Sequence, residues 1–292
     1  MKKILIAALL LGGSALAPAA DVLVSPAWLM ENLADPKLVL FHVGVRTEFD
    51  REHIPGAQPV AVQDLSLPHA EGALLNELLP PERLREKLQA LGVSDDSRIV
   101  VYFDATAIVP AGRVYFSLDA AGLGARTSIL DGGLAAWKAA GGAVTEKFSG
   151  RPAGRISVEP RPEVVMVLDQ VQSGLASSTI QLIDTRAAEL FDGSASGSMP
   201  RTGHIPGARN IPYQTLLTPD LRMKADIDIA LIFQAAGVKP GDTIVTYCNS
   251  GQQATVVYLA AKRLGLRARV YDGSWDEWSR RDDLPIETTP IK

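Results

Sequence analysis

Cysteine is almost absent from this chain: Cys248 is the only one in 292 residues. No internal disulfide can form, so this thiol is not a staple. Histidine is scarce as well, and four scattered copies beside one Cys offer no metal-ligand spacing. No metal centre and no organic cofactor are expected. Positive charge is not in excess, because 29 Lys and Arg face 33 Asp and Glu for a formal net charge of -4. With no basic run either, nucleic acid is excluded as a partner.

Long apolar runs are missing too. The one apolar stretch near the start, residues 4–11, is too short to cross a bilayer and follows Met1-Lys2-Lys3. It gives way to Gly12, Ser14, Ala15, Ala17 and Ala19, so residues 1–20 read as a secretory signal peptide. Cleavage is expected after Ala19 or Ala20. No cysteine there could carry a lipid, which makes the bacterial periplasm the expected destination, with no membrane attachment afterwards. Roughly 270 residues remain, enough for two domains.

What is present is a duplication. Val43-Gly44-Val45-Arg46-Thr47-Glu48-Phe49 leads to His53-Ile54-Pro55-Gly56-Ala57 in the first half. Ile183-Asp184-Thr185-Arg186 and Glu189-Leu190-Phe191 lead to His204-Ile205-Pro206-Gly207-Ala208 in the second. Leu130-Asp131-Gly132-Gly133 with Trp137 is echoed by Tyr271-Asp272-Gly273-Ser274 with Trp278. Both copies alternate β-rich runs with amphipathic stretches. Residues 81–91 place Leu84, Leu88 and Leu91 on one face and stop at Gly92, and residues 226–236 stop at Gly237. The fold class expected is α/β: two domains, 21–150 and 163–292, each a parallel sheet with helices on both faces. The stretch 151–162 has neither periodicity and reads as a linker.

Cys248 ends the apolar run Thr243-Ile244-Val245-Thr246-Tyr247 and opens Asn249-Ser250-Gly251-Gln252-Gln253-Ala254. A strand that delivers a thiol into a polar loop before a helix suits a nucleophilic sulfur facing an anion. An inert core cysteine is the alternative. A phosphatase loop needs Cys-x5-Arg to grip phosphate, and the sixth residue here is Ala254. In the first copy, alignment puts Asp104 opposite Cys248 and residues 105–110 opposite the loop. That copy lacks the chemistry and is expected to wall one side of a cleft. The repeated His53 and His204 read as turn-stabilising, and His42 and His69 as ordinary.

The duplicated pattern, the His-Ile-Pro-Gly-Ala turns, the Gly273-Ser274-Trp275-Asp276-Glu277-Trp278 segment and the Cys248 loop together resemble the tandem-domain rhodanese family of sulfurtransferases. The resemblance spans nearly the whole chain after the leader. It implies an inactive first domain and a second whose Cys248 cycles through a persulfide. It also assigns Arg186 as the cation facing the loop, with Arg46 as a structural counterpart, and Trp275 as a substrate-facing residue beside core Trp278.

Lowering a thiol pKa by two units corresponds to about 2.7 kcal/mol. A helix terminus gives about 2 kcal/mol at best, so inward amides and Arg186 are expected to supply the rest. Asn249, Ser250, Gln252 and Gln253 can bind sulfonate oxygens, with Gly251 permitting the turn. The partners implied are a small sulfur-donor anion and a thiophilic acceptor, the donor being thiosulfate or, alternatively, 3-mercaptopyruvate. No basic residue follows Cys248 as in many thiosulfate enzymes, and Leu190 stands where mercaptopyruvate enzymes carry a second arginine. A persulfide carrier for a protein acceptor is the third reading.

Overall fold

The computed structural model describes residues 21–70, 73–104 and 108–288. The leader and residues 105–107 of the first loop lie outside them. The first sheet contains β1 (Leu23–Val24), β2 (Leu38–Val43), β3 (Gln58–Pro59), β4 (Arg98–Phe103) and β5 (Thr127–Leu130) in the order β1-β5-β4-β2-β3. The second contains β6 (Val165–Met166), β7 (Gln181–Asp184), β8 (Arg209–Asn210), β9 (Thr243–Tyr247) and β10 (Arg267–Tyr271) in the order β6-β10-β9-β7-β8. Both are wholly parallel and share one topology.

Helices cover both faces, which explains why β2 and β4 are apolar almost without alternation. On one face of the first sheet lie α1 (Pro26–Asn32), α2 (Arg46–Arg51) and α5 (Gly133–Ala139), sharing a core with Leu40, Val100 and Tyr102. The other face carries α3 (Pro81–Ala90) and α4 (Ile108–Ala120). The second domain repeats the plan: α6 (Leu168–Ala176), α7 (Ala188–Phe191) and α10 (Ser274–Ser279) on one face, α8 (Asp226–Ala235) and α9 (Ala254–Arg263) on the other. Gly92 and Gly237 follow α3 and α8 with φ of +85° and +83°, the left-handed stop that glycine tolerates.

The faces bearing α4 and α9 pack against each other, and one apolar cluster runs through both domains. Phe116 meets Tyr258 edge-on, while buried Asp119 accepts from Tyr258 Oη at 2.6 Å and pairs with Lys262 and Arg161. Residues 154–157 run along the first domain, bonded to Gln89, Ser94 and Asp95, before Arg161 reaches Asp119.

Hydrogen bonds correct the alignment of the copies. The Ile54 amide donates to Tyr102 Oη and the Ile205 amide to Tyr247 Oη, each at 3.1 Å. His42 faces Tyr102 in one ladder and Asp184 faces Tyr247 in the other. Tyr102 and Tyr247 are thus equivalent, and the residue after each puts Phe103 in the place of Cys248 and Asp104 opposite Asn249. By the same register Gly44, not Arg46, stands where Arg186 stands. Val45 and Ala187 precede α2 and α7, and Phe49 and Phe191, four residues further on, stack on His53 and His204. The two histidines do fix the turns: Nδ1 of each lies 2.7 Å from the carbonyl of its phenylalanine.

Candidate active site

Strand β9 ends at Tyr247, so Cys248 is the first residue to leave the sheet. Its own amide donates to Ser274 Oγ at 3.3 Å, and its carbonyl accepts from the Trp275 amide at 2.9 Å. Ser274 holds a left-handed backbone, φ 53°, with its hydroxyl donating to the Tyr271 carbonyl at 2.9 Å. The start of α10 therefore fixes the base of the loop. At the other side, α9 begins with Ala254, and the amides of Ala254, Ser250 and Gln253 are the backbone groups that favour the Cys248 thiolate. Gly251, φ +75°, makes the reversal that lets the loop curl around one atom.

The cysteine is 1% exposed. Burial pushes its thiol pKa up, the three amides pull it down, and the Asp184 carboxylate adds to the upward push. Burial wins, so the thiol lies above its ordinary value. The lowered thiol pKa expected from the loop pattern is not what this burial produces, because the loop amides that favour the thiolate are outweighed by desolvation.

Arg186 is also corrected. Its guanidinium is buried and takes Asp184 in a bidentate pair, Nη2 to Oδ2 at 2.5 Å and Nε to Oδ1 at 3.0 Å, with Nη2 donating to the Gly203 carbonyl at 2.7 Å. Its cation lies 4.7 Å from the Trp275 ring centroid. The pair holds β7 to the turn of His204, and its charge reaches Cys248 as a secondary influence. Trp275 is 1% exposed, covered by Arg186, and donates its indole N–H to the Arg201 carbonyl at 3.1 Å. It is a core residue like Trp278, not a substrate-facing one. Its ring face is covered by the guanidinium of the Asp184–Arg186 pair, which a linear motif does not reveal.

The remaining loop residues are brought together. Asn249 gives its carbonyl to the Asp276 amide at 2.8 Å, and Gln253 has a buried Oε1 without a hydrogen-bond partner. Gln252 faces a cavity of about 220 Å³ whose other walls include Val43, Gly44, Gln63, Asp104 and Pro110 of the first domain. The first domain supplies every wall but Gln252, and Cys248 does not line this cavity.

It also does more. Asn76 Nδ2 donates to Ser250 Oγ at 3.1 Å, and Arg113, from the middle of α4, pairs with Asp272 at 2.6 Å and donates to the Gly251 carbonyl at 3.4 Å. Neither residue was singled out in the sequence. The available signal was a lone arginine inside the apolar run of α4, where a charge is retained only with a partner. Among the described residues no group of His, Cys, Asp and Glu could hold a metal ion.

The rhodanese-like domain model matches the chain twice, over residues 25–140 and 167–281. The chain is 33% identical to a 3-mercaptopyruvate sulfurtransferase of Escherichia coli strain K12, covering 91% of this chain and 96% of that protein. It is 30% identical to a thiosulfate sulfurtransferase of Azotobacter vinelandii, covering 91% and 97% respectively. It is 29% identical to the sulfur carrier protein TtuD of Thermus thermophilus, covering 91% and 96%. Matched in both halves and aligned almost end to end with these proteins, this chain belongs to the tandem-domain rhodanese family of sulfurtransferases.

Proposed function

We propose that the protein moves sulfane sulfur from thiosulfate to cyanide or a thiol through a persulfide on Cys248. What carries this reading is the position of Cys248 as the first residue off the central strand β9, opening a loop whose Ser250, Gln253 and Ala254 amides favour its thiolate. In the first half-reaction Cys248 Sγ attacks the outer sulfur of thiosulfate. The S–S bond breaks, its electron pair leaves on sulfite, and the thiol proton goes with it. In the second, the acceptor attacks the outer sulfur of Cys–S–S⁻ and Cys248 regains its electron pair. The cysteine is both nucleophile and carrier, so the cycle closes without a redox partner.

Two further readings have support of their own. The loop offers a dianion no cation after Cys248, Arg186 is committed to Asp184, and the E. coli relative is named for 3-mercaptopyruvate. A carrier that hands its persulfide to a protein is favoured by the relative named for that role. Purified protein incubated with each donor, followed by mass spectrometry of Cys248 and by thiocyanate formation with cyanide, separates the three. Turnover with thiosulfate supports the proposal, and turnover confined to 3-mercaptopyruvate replaces the donor. A persulfide that forms without turnover supports the carrier. No added sulfur with either donor overturns them all.

We further propose export, supported by Lys2, Lys3, the apolar run and the small residues that follow. The test is the N-terminal sequence of the protein recovered from a periplasmic extract. Cleavage after Ala19 or Ala20 is expected, and an intact leader in the cytoplasmic fraction overturns it.

A further inference from the structure

Each domain clasps the other. Asp272 and Asp131 follow the fifth strand of their sheets, and each accepts a backbone amide from a loop of the opposite domain. Leu78 donates to Asp272 at 2.9 Å, and Met223 donates to Asp131 at 3.0 Å. Two residues before each donor the backbone turns left-handed at a non-glycine position, Asn76 with φ 57° and Leu221 with φ 59°. The reciprocity is close in backbone and absent in side chains. Leu221 packs on the shared core, while Arg222 of the clasp itself reaches Asp131 at 3.8 Å. On the side with the thiol, Asn76 bonds Ser250, and the cation comes from a different element, Arg113 of α4.

We infer that Arg113, which belongs to the domain without a thiol, is a positioning residue for Cys248. Its Nη1 holds Asp272 and the Gly251 carbonyl, and its Nη2 donates to the Asn76 carbonyl at 2.5 Å. A peptide unit is planar, so a hold on the Gly251 carbonyl also sets the Gln252 amide and with it the path of the chain into α9. The two amides that follow, of Gln253 and Ala254, are among those that favour the Cys248 thiolate. The guanidinium also neutralises Asp272, whose backbone carbonyl and carboxylate lie directly beside Gly251. Asn76 completes the arrangement by donating to the Ser250 hydroxyl, which ties the loop beside Cys248 to the first domain. The thiol-less domain thereby sets the electrostatics of the thiol.

This inference rests on Cys248 being the nucleophile, but its test needs no sulfur donor. The rate of Cys248 alkylation by iodoacetamide is measured against pH in the full chain, alongside steady-state transfer. For Arg113→Met the midpoint of the alkylation profile is expected to rise by about one unit, a tenfold change in the ionisation equilibrium. A comparable fall in kcat with little change in KM is expected, and Arg113→Lys should recover part of the midpoint. Asn76→Gly keeps the left-handed backbone and removes only the side-chain amide, so it should shift the midpoint in the same direction by less. An Arg113→Met profile equal to the wild type overturns the inference even if turnover falls. Should that variant not fold, an unmoved midpoint in Asn76→Gly overturns it instead.

Discussion

The two sheets end in the same geometry and hold opposite chemistry there. In the second domain the strand delivers Cys248, an ion pair of Asp184 and Arg186 braces the neighbouring strand, and loop amides favour the thiolate. In the first, Phe103 takes the thiol's place, His42 takes that of Asp184, and Gly44 takes that of Arg186. The missing arginine is not simply deleted. A Cβ at Gly44 would lie 2.3 Å from Asp104 Oδ2 and 2.7 Å from His42 Nε2, so the Asp104 carboxylate fills the space. One scaffold thus tolerates either a carboxylate–guanidinium pair or a carboxylate beside a neutral ring. What the two corners share is filled volume, not the same balance of charge.

The largest effect should come from removing the difference that matters. Cys248→Ser is expected to abolish persulfide formation and lower transfer by at least about a thousandfold, as removal of a covalent nucleophile does. Its thermal unfolding should stay close to the wild type. Retained transfer in that variant would separate the chemistry from the only thiol. Next comes the brace. Arg186→Ala leaves Asp184 buried and unpaired and should cost about 3 to 5 kcal/mol by denaturant unfolding. Arg46→Ala removes a surface pair with Asp50 and should cost less than about 1 kcal/mol. Equal losses would mean that Arg46, as the motif alignment suggests, is the true counterpart.

The architecture was legible because it is periodic and repeated. Strand β9, the glycine stops after α3 and α8, and the paired His-Ile-Pro-Gly-Ala turns are local patterns, each with its own physical signature. Cys248 stood out in the sequence because it is a lone thiol between a strand and a polar loop that opens a helix. The register of the copies was not, because an additional apolar residue, Phe103, extends β4 past the point where β9 ends. Arg186 and Trp275 were placed on the substrate because nothing in a linear motif shows that the cation folds back on Asp184 and covers the indole. Arg113 and Asn76 were invisible for a different reason: their partners, Gly251, Asp272 and Ser250, belong to the other domain.

The glycine that makes room for Asp104 provides a finer test of equivalence. Gly44→Ala forces a methyl into the carboxylate and should destabilise the protein by about 1 to 3 kcal/mol, the cost of overpacking. In the double variant Gly44→Ala with Asp104→Ala the methyl has space, so part of that loss should return. Additive losses in a denaturant cycle would show that the two residues do not share the site.

The smallest effect at neutral pH belongs to His42, because its ring is uncharged there. Burial lowers its pKa from 6.5 to about 4, while Asp104 pulls it up and His53 pushes it down. Its ring lies edge-on to Phe49 and Tyr102, and neither nitrogen has a hydrogen-bond partner. Between pH 6.5 and 4 the unfolded chain binds this proton and the folded chain does not, so stability rises with pH across that window. The contribution is present above pH 6.5 and is lost as the pH falls through it toward 4. Thermal melts at intervals from pH 7 to 4 should show this slope, and His42→Phe should flatten it without moving the melt at pH 7 by more than a few degrees. An unchanged slope in the variant would assign the acid sensitivity to the carboxylates and leave His42 as inert as its place in the sequence suggests.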